Sequence, residues 1–515
     1  MTRLVLSLIL VCVSATPLCA QFVTHHASVF QSLVAQPAKG AAIDDPHFGA
    51  RITRLTNARA DGAPGYMPQY AKRQAWNADG SLLLLFSGDG RTLLHDGVSG
   101  SFVREIEGPG GEDVFWHPAD PRRIIYAEDN RLSMYDVTTD VVTTLRAFPQ
   151  YSWINTRGEG NLSADGNLYA FAGQFYDSTV HFRDLVLYDI ARDSVLGTLP
   201  LPETLADFDW VSISPSGDFV VVDYATSDTG LYQGVEVYDR AFRRLWQKPL
   251  GSGHSDLGID TDGQDVLVMG VYNADSNRTY IRKYRLSDAA ETVLLDHEWS
   301  VYNHISLRNT RLRGFCLVST YDGEGRLEDD STGWLPFEDE IFLLALDGSG
   351  SVRRLAHHRS RRFSPATPDS DNSVYWAEPH ASPDPDGRRV VFGSNWRLRL
   401  ESDSSVDAYI ADVSHLTHFP ESPAPASTTL RLGPVYPNPW SVSAAVGFTL
   451  PAAGRVLLTM HDALGRECAR FTDAAFEGGT HMVAITRGSL RAGCYRICCR
   501  TTSGVSSMGC IITGE

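Results

Sequence analysis

One short unit recurs along this chain and limits what it can become: a strand, a tight turn closed by glycine, then a second apolar strand. Trp76-Asn77-Ala78-Asp79-Gly80 leads into Leu82–Phe86, Asp165-Gly166 into Leu168–Phe171, and Ser216-Gly217 into Phe219–Val222. Asp262-Gly263 leads into Val266–Met269, and Asp386-Gly387 into Val390–Phe392. Two degraded copies, His117–Pro121 before Ile124–Tyr126 and Leu307–Arg311 before Phe315–Ser319, bring the hairpins to seven. Asp-Gly between apolar runs signals a hairpin because glycine takes positive φ without steric cost. A Tyr-Asp strand follows most copies, as at Tyr135-Asp136, Tyr188-Asp189 and Tyr238-Asp239, and a more polar fourth strand follows that, as at Val142–Leu145 and Arg243–Gln247. Arg51–Thr56 alternates apolar and polar residues but has no partner nearby. Four-stranded units spaced like propeller blades, with an orphan N-terminal strand to complete the last one, predict an all-β, seven-bladed β-propeller closed by that strand.

The propeller is expected over 48–418, after an extended lead-in at 21–47. Phe419–Thr429 reads as a Pro/Ser linker, and 430–515 as a small Ig-like β-sandwich built from runs such as Ala445–Leu450, Val456–His461 and Cys494–Thr501. Arg3, the apolar run Leu4–Val13 and Ala20 give residues 1–20 the form of a secretory signal peptide. No later run has the length of a membrane helix, so the expectation is a secreted or cell-surface protein, exported through the periplasm, without a transmembrane segment. A net charge of -17 argues against a nucleic-acid partner bound through its phosphates. Of eight cysteines, five lie near the end, Cys468, Cys494, Cys498, Cys499 and Cys510, where an oxidising compartment would allow pairing whose connectivity the sequence does not give. Cys498 and Cys499, adjacent on a strand, point to opposite faces.

Two resemblances follow from particular motifs. Tyr436-Pro437-Asn438-Pro439-Trp440, His461–Arg466, Gly478–His481 and Leu490–Tyr495 resemble the type IX secretion C-terminal sorting domain of the Bacteroidota. That resemblance implies the type IX machinery as a partner and export across the outer membrane. The hairpin Ser382–Phe392 followed by a Tyr-Asp strand resembles Tol-type and oligogalacturonate-lyase-type propellers. The lyase resemblance implies a divalent metal, Mn or Ca, although the compact Gln-x-x-His-x-His cluster of that pattern is missing here.

Residues seven to nine places before each turn glycine should sit at the mouth of the central channel. They include Arg73, Arg157 with Glu159, His254, His304 and His380. Tyr66, Tyr70, Tyr151, Glu378 and the pair His357-His358, within a basic stretch, join them from loops; Trp376 and Trp396 are candidate sugar platforms, whereas Trp76, Trp116 and Trp210 read as core between blades. Imidazoles, guanidinium groups and aromatic rings converging on one mouth suit an extracellular polysaccharide. β-Elimination on a uronate needs the sugar carboxylate neutralised, here by Arg73 or Arg157 or by a metal, and a base, here His254, His304 or His380. The same imidazoles could hold an ion between His304, His380 and Glu378. The candidate is thus a polysaccharide lyase; the alternative is a non-catalytic surface propeller that binds carbohydrate or protein.

Overall fold

The computed structural model describes the chain apart from residues 1–21, 177–179, 203–204, 206–207, 225–229, 251–253, 299, 323–332, 363–374, 397–404, 417–429, 437–438, 451, 463–464, 477–478, 503 and 514–515. The signal peptide, the linker and Pro437-Asn438 of the sorting motif lie outside the described residues. The chain divides into two compact units, one built almost wholly from residues up to Phe419 and the other from Pro420 onward.

The first unit is a seven-bladed propeller. Six blades are four-stranded antiparallel sheets in sequential order. Blade 4 serves as the pattern: Trp210–Ile213 innermost, then Phe219–Asp223, Val235–Asp239 and Arg244–Lys248 outermost. Blade 7 is completed from the N-terminus as expected, because Arg51–Arg54 pairs antiparallel with Asp407–Asp412. One further strand, Ala42–Asp44, adds a fifth at its edge. The repeated turn keeps one geometry: the N–H groups of Gly80, Gly166, Gly217 and Gly387 donate to the carbonyls of Asn77, Ser163, Ser214 and Asp384 at 2.8 to 3.0 Å. Each of these glycines has φ between 67° and 80°, which explains the residue type.

Both faces of each blade are buried, so the second strands read as unbroken apolar runs rather than alternating ones. On Phe219–Asp223, Val220 and Val222 pack towards blade 3 while Val221 packs towards blade 5. Seven such inter-blade clusters follow one another around the molecule. The cluster of Trp76, Leu83 and Leu85 with Val391, Ala408 and Ile410 joins blade 7 back to blade 1 and closes the ring. Closure removes the unpaired sheet edges of an open array. Trp76, Trp116 and Trp210 are buried in these clusters.

The second unit is a β-sandwich. A three-stranded sheet (Arg431–Tyr436, Ser443–Leu450, Gly479–Thr486) and a four-stranded one (Glu467–Phe476, Gly454–His461, Gly493–Thr501, Gly504–Ile512) share a core around Val446, Phe448, Leu458, Met460 and Ile497. Cys499 lies in that core while Cys498 faces outward, and all six described cysteines are free. Among the described residues no helix is long and apolar enough to cross a membrane.

Candidate functional site

Three histidines occupy matching positions in three consecutive blades. His254 precedes the inner strand Asp256–Ile259 of blade 5, His304 lies within Val301–Ser306 of blade 6, and His380 precedes Ser382–Pro383 of blade 7. The blades converge at their inner strands, so the rings meet. His254 and His304 stack with centroids 4.1 Å apart and planes 6° apart, and His304 lies 4.3 Å from His380. His380 is held at φ 41°, a left-handed conformation uncommon outside glycine and typical of constrained functional positions.

The fourth face comes from blade 1. Its inner strand is interrupted: Tyr66–Met67 pairs at one end of Leu82–Ser87, and Trp76 bridges to Leu83 near the other. The intervening excursion carries Tyr70 into the cluster, where its ring lies 5.6 Å from His304 and 5.2 Å from His380. Tyr321 stacks on His304 at 5.1 Å.

Glu378 completes the group. Its Oε2 lies 3.4 Å from His304 Nε2, and its Oε1 accepts an ion pair from Arg362 Nε at 2.9 Å. Ligating atoms of His304, His380 and Glu378 all fall within 4.8 Å of one another. Neither nitrogen of His304, nor His380 Nδ1, nor Glu378 Oε2 makes a well-formed hydrogen bond. Buried polar atoms normally find partners, so four orphans in one place require an explanation.

Burial sets the charge states. It pushes the His380 pKa down to about 3, with His254 adding to the effect, and holds His304 well below the usual histidine range, with the neighbouring imidazoles His254 and His380 adding to the effect. His254 is lowered mainly by burial, against the opposing pull of Glu159. Its Nδ1 lies 2.9 Å from the Asn303 carbonyl and must carry the proton, which leaves Nε2 as the basic nitrogen. Burial lifts Glu378 to about 7, against the opposing effect of Arg362. Tyr70 and Tyr321 are raised well above the ordinary tyrosine value by burial and stay protonated. Neutral imidazoles with free lone pairs beside a carboxylate are the donor set of a transition-metal site. Calcium, which takes oxygen ligands, fits this set less well than manganese.

Arg73 belongs to a different centre. It pairs with Asp113 at 2.6 Å and donates to the carbonyls of Gly158, Gly160 and Glu112, while Asp113 also accepts from the Thr156 backbone N–H and hydroxyl and from the Tyr169 hydroxyl. Its neighbour Lys72, in the same turn, has different partners. Lys72 Nζ lies 2.5 Å from Glu159 and 4.2 Å above the Trp210 ring, near enough to add to the lowering of His254 and His304. Lys72 is therefore a buried cation beside the cluster, and sequence reasoning passed over it in favour of Arg73. Arg157 packs against Phe182 and donates to the Phe208 carbonyl.

Other candidates separate from the cluster. Tyr66 is core between blades 7 and 1, and Tyr151 is core beside blade 3 with its hydroxyl donating to Asp184. Trp396 is only 3% exposed, stacked 4.9 Å from Tyr409, with its indole N–H on the Val34 carbonyl; it is packing, not a platform. His357 and His358 are not a solvated basic patch. Both are buried, hydrogen-bonded to the Val29 and Thr320 carbonyls, and lowered to about 3 by burial. Trp376 does stand at the site, 47% exposed and 6.1 Å from His380.

Two cavities flank this centre. One, of about 210 Å³, fills the channel at the turn ends of the inner strands and takes lining residues from all seven blades. The other, of about 480 Å³, is an open groove between blades 5 and 6 whose wall includes His254 and Tyr321, so it touches the cluster at one imidazole.

No family model matches the chain, and no curated protein matches it. Among solved structures the chain is similar to the Cps50 (Swd1) β-propeller domain of Myceliophteria thermophila, at 12% identity and a TM-score of 0.39, over 70% of this chain and 99% of that one. The class of protein, a seven-bladed β-propeller, is established by the chain's own sheets and the clusters that join them.

Proposed function

We propose that this propeller recognises an extracellular uronate-containing polysaccharide and cleaves it by β-elimination, in a protein exported under a type IX sorting domain. The observation that carries the reading is the set of unpartnered donor atoms on His304, His380 and Glu378, buried beside His254, whose own ring lines a groove that opens to solvent. His304, His380 and Glu378 would hold a divalent cation, which when bound neutralises a substrate carboxylate and acidifies the adjacent C–H. His254 Nε2, neutral and basic, takes the proton from that carbon. The electron pair of the broken C–H bond forms the new C=C bond as the neighbouring C–O bond breaks. Tyr70, kept protonated by burial and in contact with the imidazoles, donates its proton to the departing oxygen. Lys72 and Arg362 add positive charge at this end of an otherwise acidic protein.

The test is the ultraviolet absorbance of the unsaturated sugar that elimination alone creates. The full mature chain is incubated with a panel of uronate polysaccharides, with manganese and with a chelator. A metal-dependent rise that His304→Ala and His254→Ala both abolish supports the reading. A flat trace across the panel, with glycan binding still seen by calorimetry, replaces it with the non-catalytic binding propeller. That second reading is favoured by one observation: Arg73 and Arg157, the guanidinium groups expected to meet a carboxylate, are engaged elsewhere.

A further inference from the structure

The groove beside His254 is built by an overlong hairpin. In blade 5 the paired strands Asp265–Asn273 and Arg278–Arg285 run 9 and 8 residues, where the matching strands of blade 4 have 5 each. The extension carries Tyr272 and Thr279 past the channel mouth, opposite Val301, Tyr302 and Asn303 of blade 6. Gly270 keeps the space between them. A Cβ there would stand 3.1 Å from both amide atoms of Asn303, tighter than an ordinary contact.

The described lining is mostly aromatic and polar, and none of its described residues carries a carboxylate. Tyr272 is 55% exposed and Tyr302 40% exposed, unusual for rings that also line a cavity of about 480 Å³. Tyr272 is oriented by its hydroxyl, which donates to Asn277 at 2.9 Å, and Tyr302 packs edge-on to Tyr321 at 5.8 Å. Rigid, exposed rings offer apolar area at low entropic cost and a hydroxyl for hydrogen bonding. On a protein of net charge -17, a groove whose described lining holds no carboxylate is a place where an anionic chain can lie with little direct repulsion from that lining. On the other flank of the imidazoles, Tyr375 and Trp376 are exposed and in ring contact with His380.

From this we infer that the groove between blades 5 and 6 is a glycan subsite, with Tyr272 and Tyr302 as stacking platforms, and that the chain crosses the histidine cluster from this groove to Trp376, giving an internal rather than terminal mode of attack. The inference rests on the polysaccharide reading above and deepens it. His254 and Tyr321 belong to both groove and cluster, so the groove abuts the cluster. A peptide ligand is less well served, because no described residue of the groove lining offers a charged anchor.

The experiment is calorimetry of the full mature chain with oligogalacturonates and oligomannuronates from disaccharide to hexasaccharide. Both target rings are exposed, so their truncation leaves folding intact. Wild-type affinity is expected to rise with chain length. The double variant Tyr272→Ala/Tyr302→Ala is expected to lose about tenfold or more on the hexasaccharide, little on the disaccharide, and nothing in manganese affinity, while Tyr302→Phe keeps most of the gain. A double variant that binds the hexasaccharide as the wild type does overturns the subsite while leaving the wider reading standing. A wild type that binds no uronate oligomer defeats the wider reading and this inference with it.

Discussion

Two polar centres lie at the inner ends of the same ring of blades, and they are built in opposite ways. Around Arg73 and Asp113 every group has partners: the guanidinium meets one carboxylate, a hydroxyl and three carbonyls, and the carboxylate accepts four hydrogen bonds. Around His304 the reverse holds, with lone pairs and a carboxylate oxygen left over. A saturated buried network fixes geometry and has no capacity for a ligand. An unsaturated one costs stability that only a ligand or a function recovers. The difference separates architecture from site more reliably than residue type, since Arg73 reads in the sequence as a catalytic candidate on a par with His304.

The largest effect should come from breaking the saturated centre. Arg73→Ala strands Asp113 in the interior and is expected to cost about 3–5 kcal/mol, as for other broken buried pairs. Urea denaturation measures it, and a loss under 1 kcal/mol would erase the contrast. Trp396→Ala should cost a similar amount, about 3–5 kcal/mol, by opening a cavity against Tyr409. Trp376→Ala, at an exposed ring, should stay within about 0.5 kcal/mol yet weaken glycan binding. Equal losses of stability at the two tryptophans would contradict the assignment of one to packing and the other to the site.

Acid should expose a third difference. His297 is lowered to about 4, and His357 and His358 to about 3, by burial. Asp45, Arg359 and His47 also act on His357, and Arg359 on His358. These rings are neutral in the fold, while the unfolded chain protonates them below about 6.5. Their contribution is therefore intact above that pH and is lost as pH falls towards 3, by several kcal/mol in all at about 1.4 kcal/mol per unit. His358→Gln should move the acid-unfolding midpoint, followed by circular dichroism, to lower pH; an unchanged or higher midpoint would mean the ring is already charged in the fold. For His304→Ala the loss of stability is expected to be less than half that of Arg73→Ala, because it removes unpartnered atoms as well as packing.

Much of this was legible in the chain. The glycine turns and the orphan strand are local signals, and they specify seven blades and their closure. The three histidines could be brought together because each falls shortly before the turn of its own blade, within the start of the inner strand. What failed had a common cause: facing. Tyr66–Met67 and Trp76 belong to an interrupted inner strand, so counting along it could not tell that Arg73 turns to Asp113 and Lys72 to the cluster. His357 and Trp396 are covered by the lead-in, which bonds to them through the Val29 and Val34 carbonyls and has no periodicity to announce it. Tyr272 and Tyr302 went unnoticed, although an aromatic on the extended end of an overlong hairpin was a usable signal.

The central claim is that the unsaturated centre is a cation site and the saturated one is not. Calorimetric titration of manganese into chelator-stripped, full mature protein tests it most directly, run on the wild type, Glu378→Gln and Tyr272→Ala. The account predicts one ion per chain for the wild type, loss of that binding in Glu378→Gln, and wild-type binding in Tyr272→Ala. Absence of binding in the wild type, or equal binding in Glu378→Gln, would contradict it.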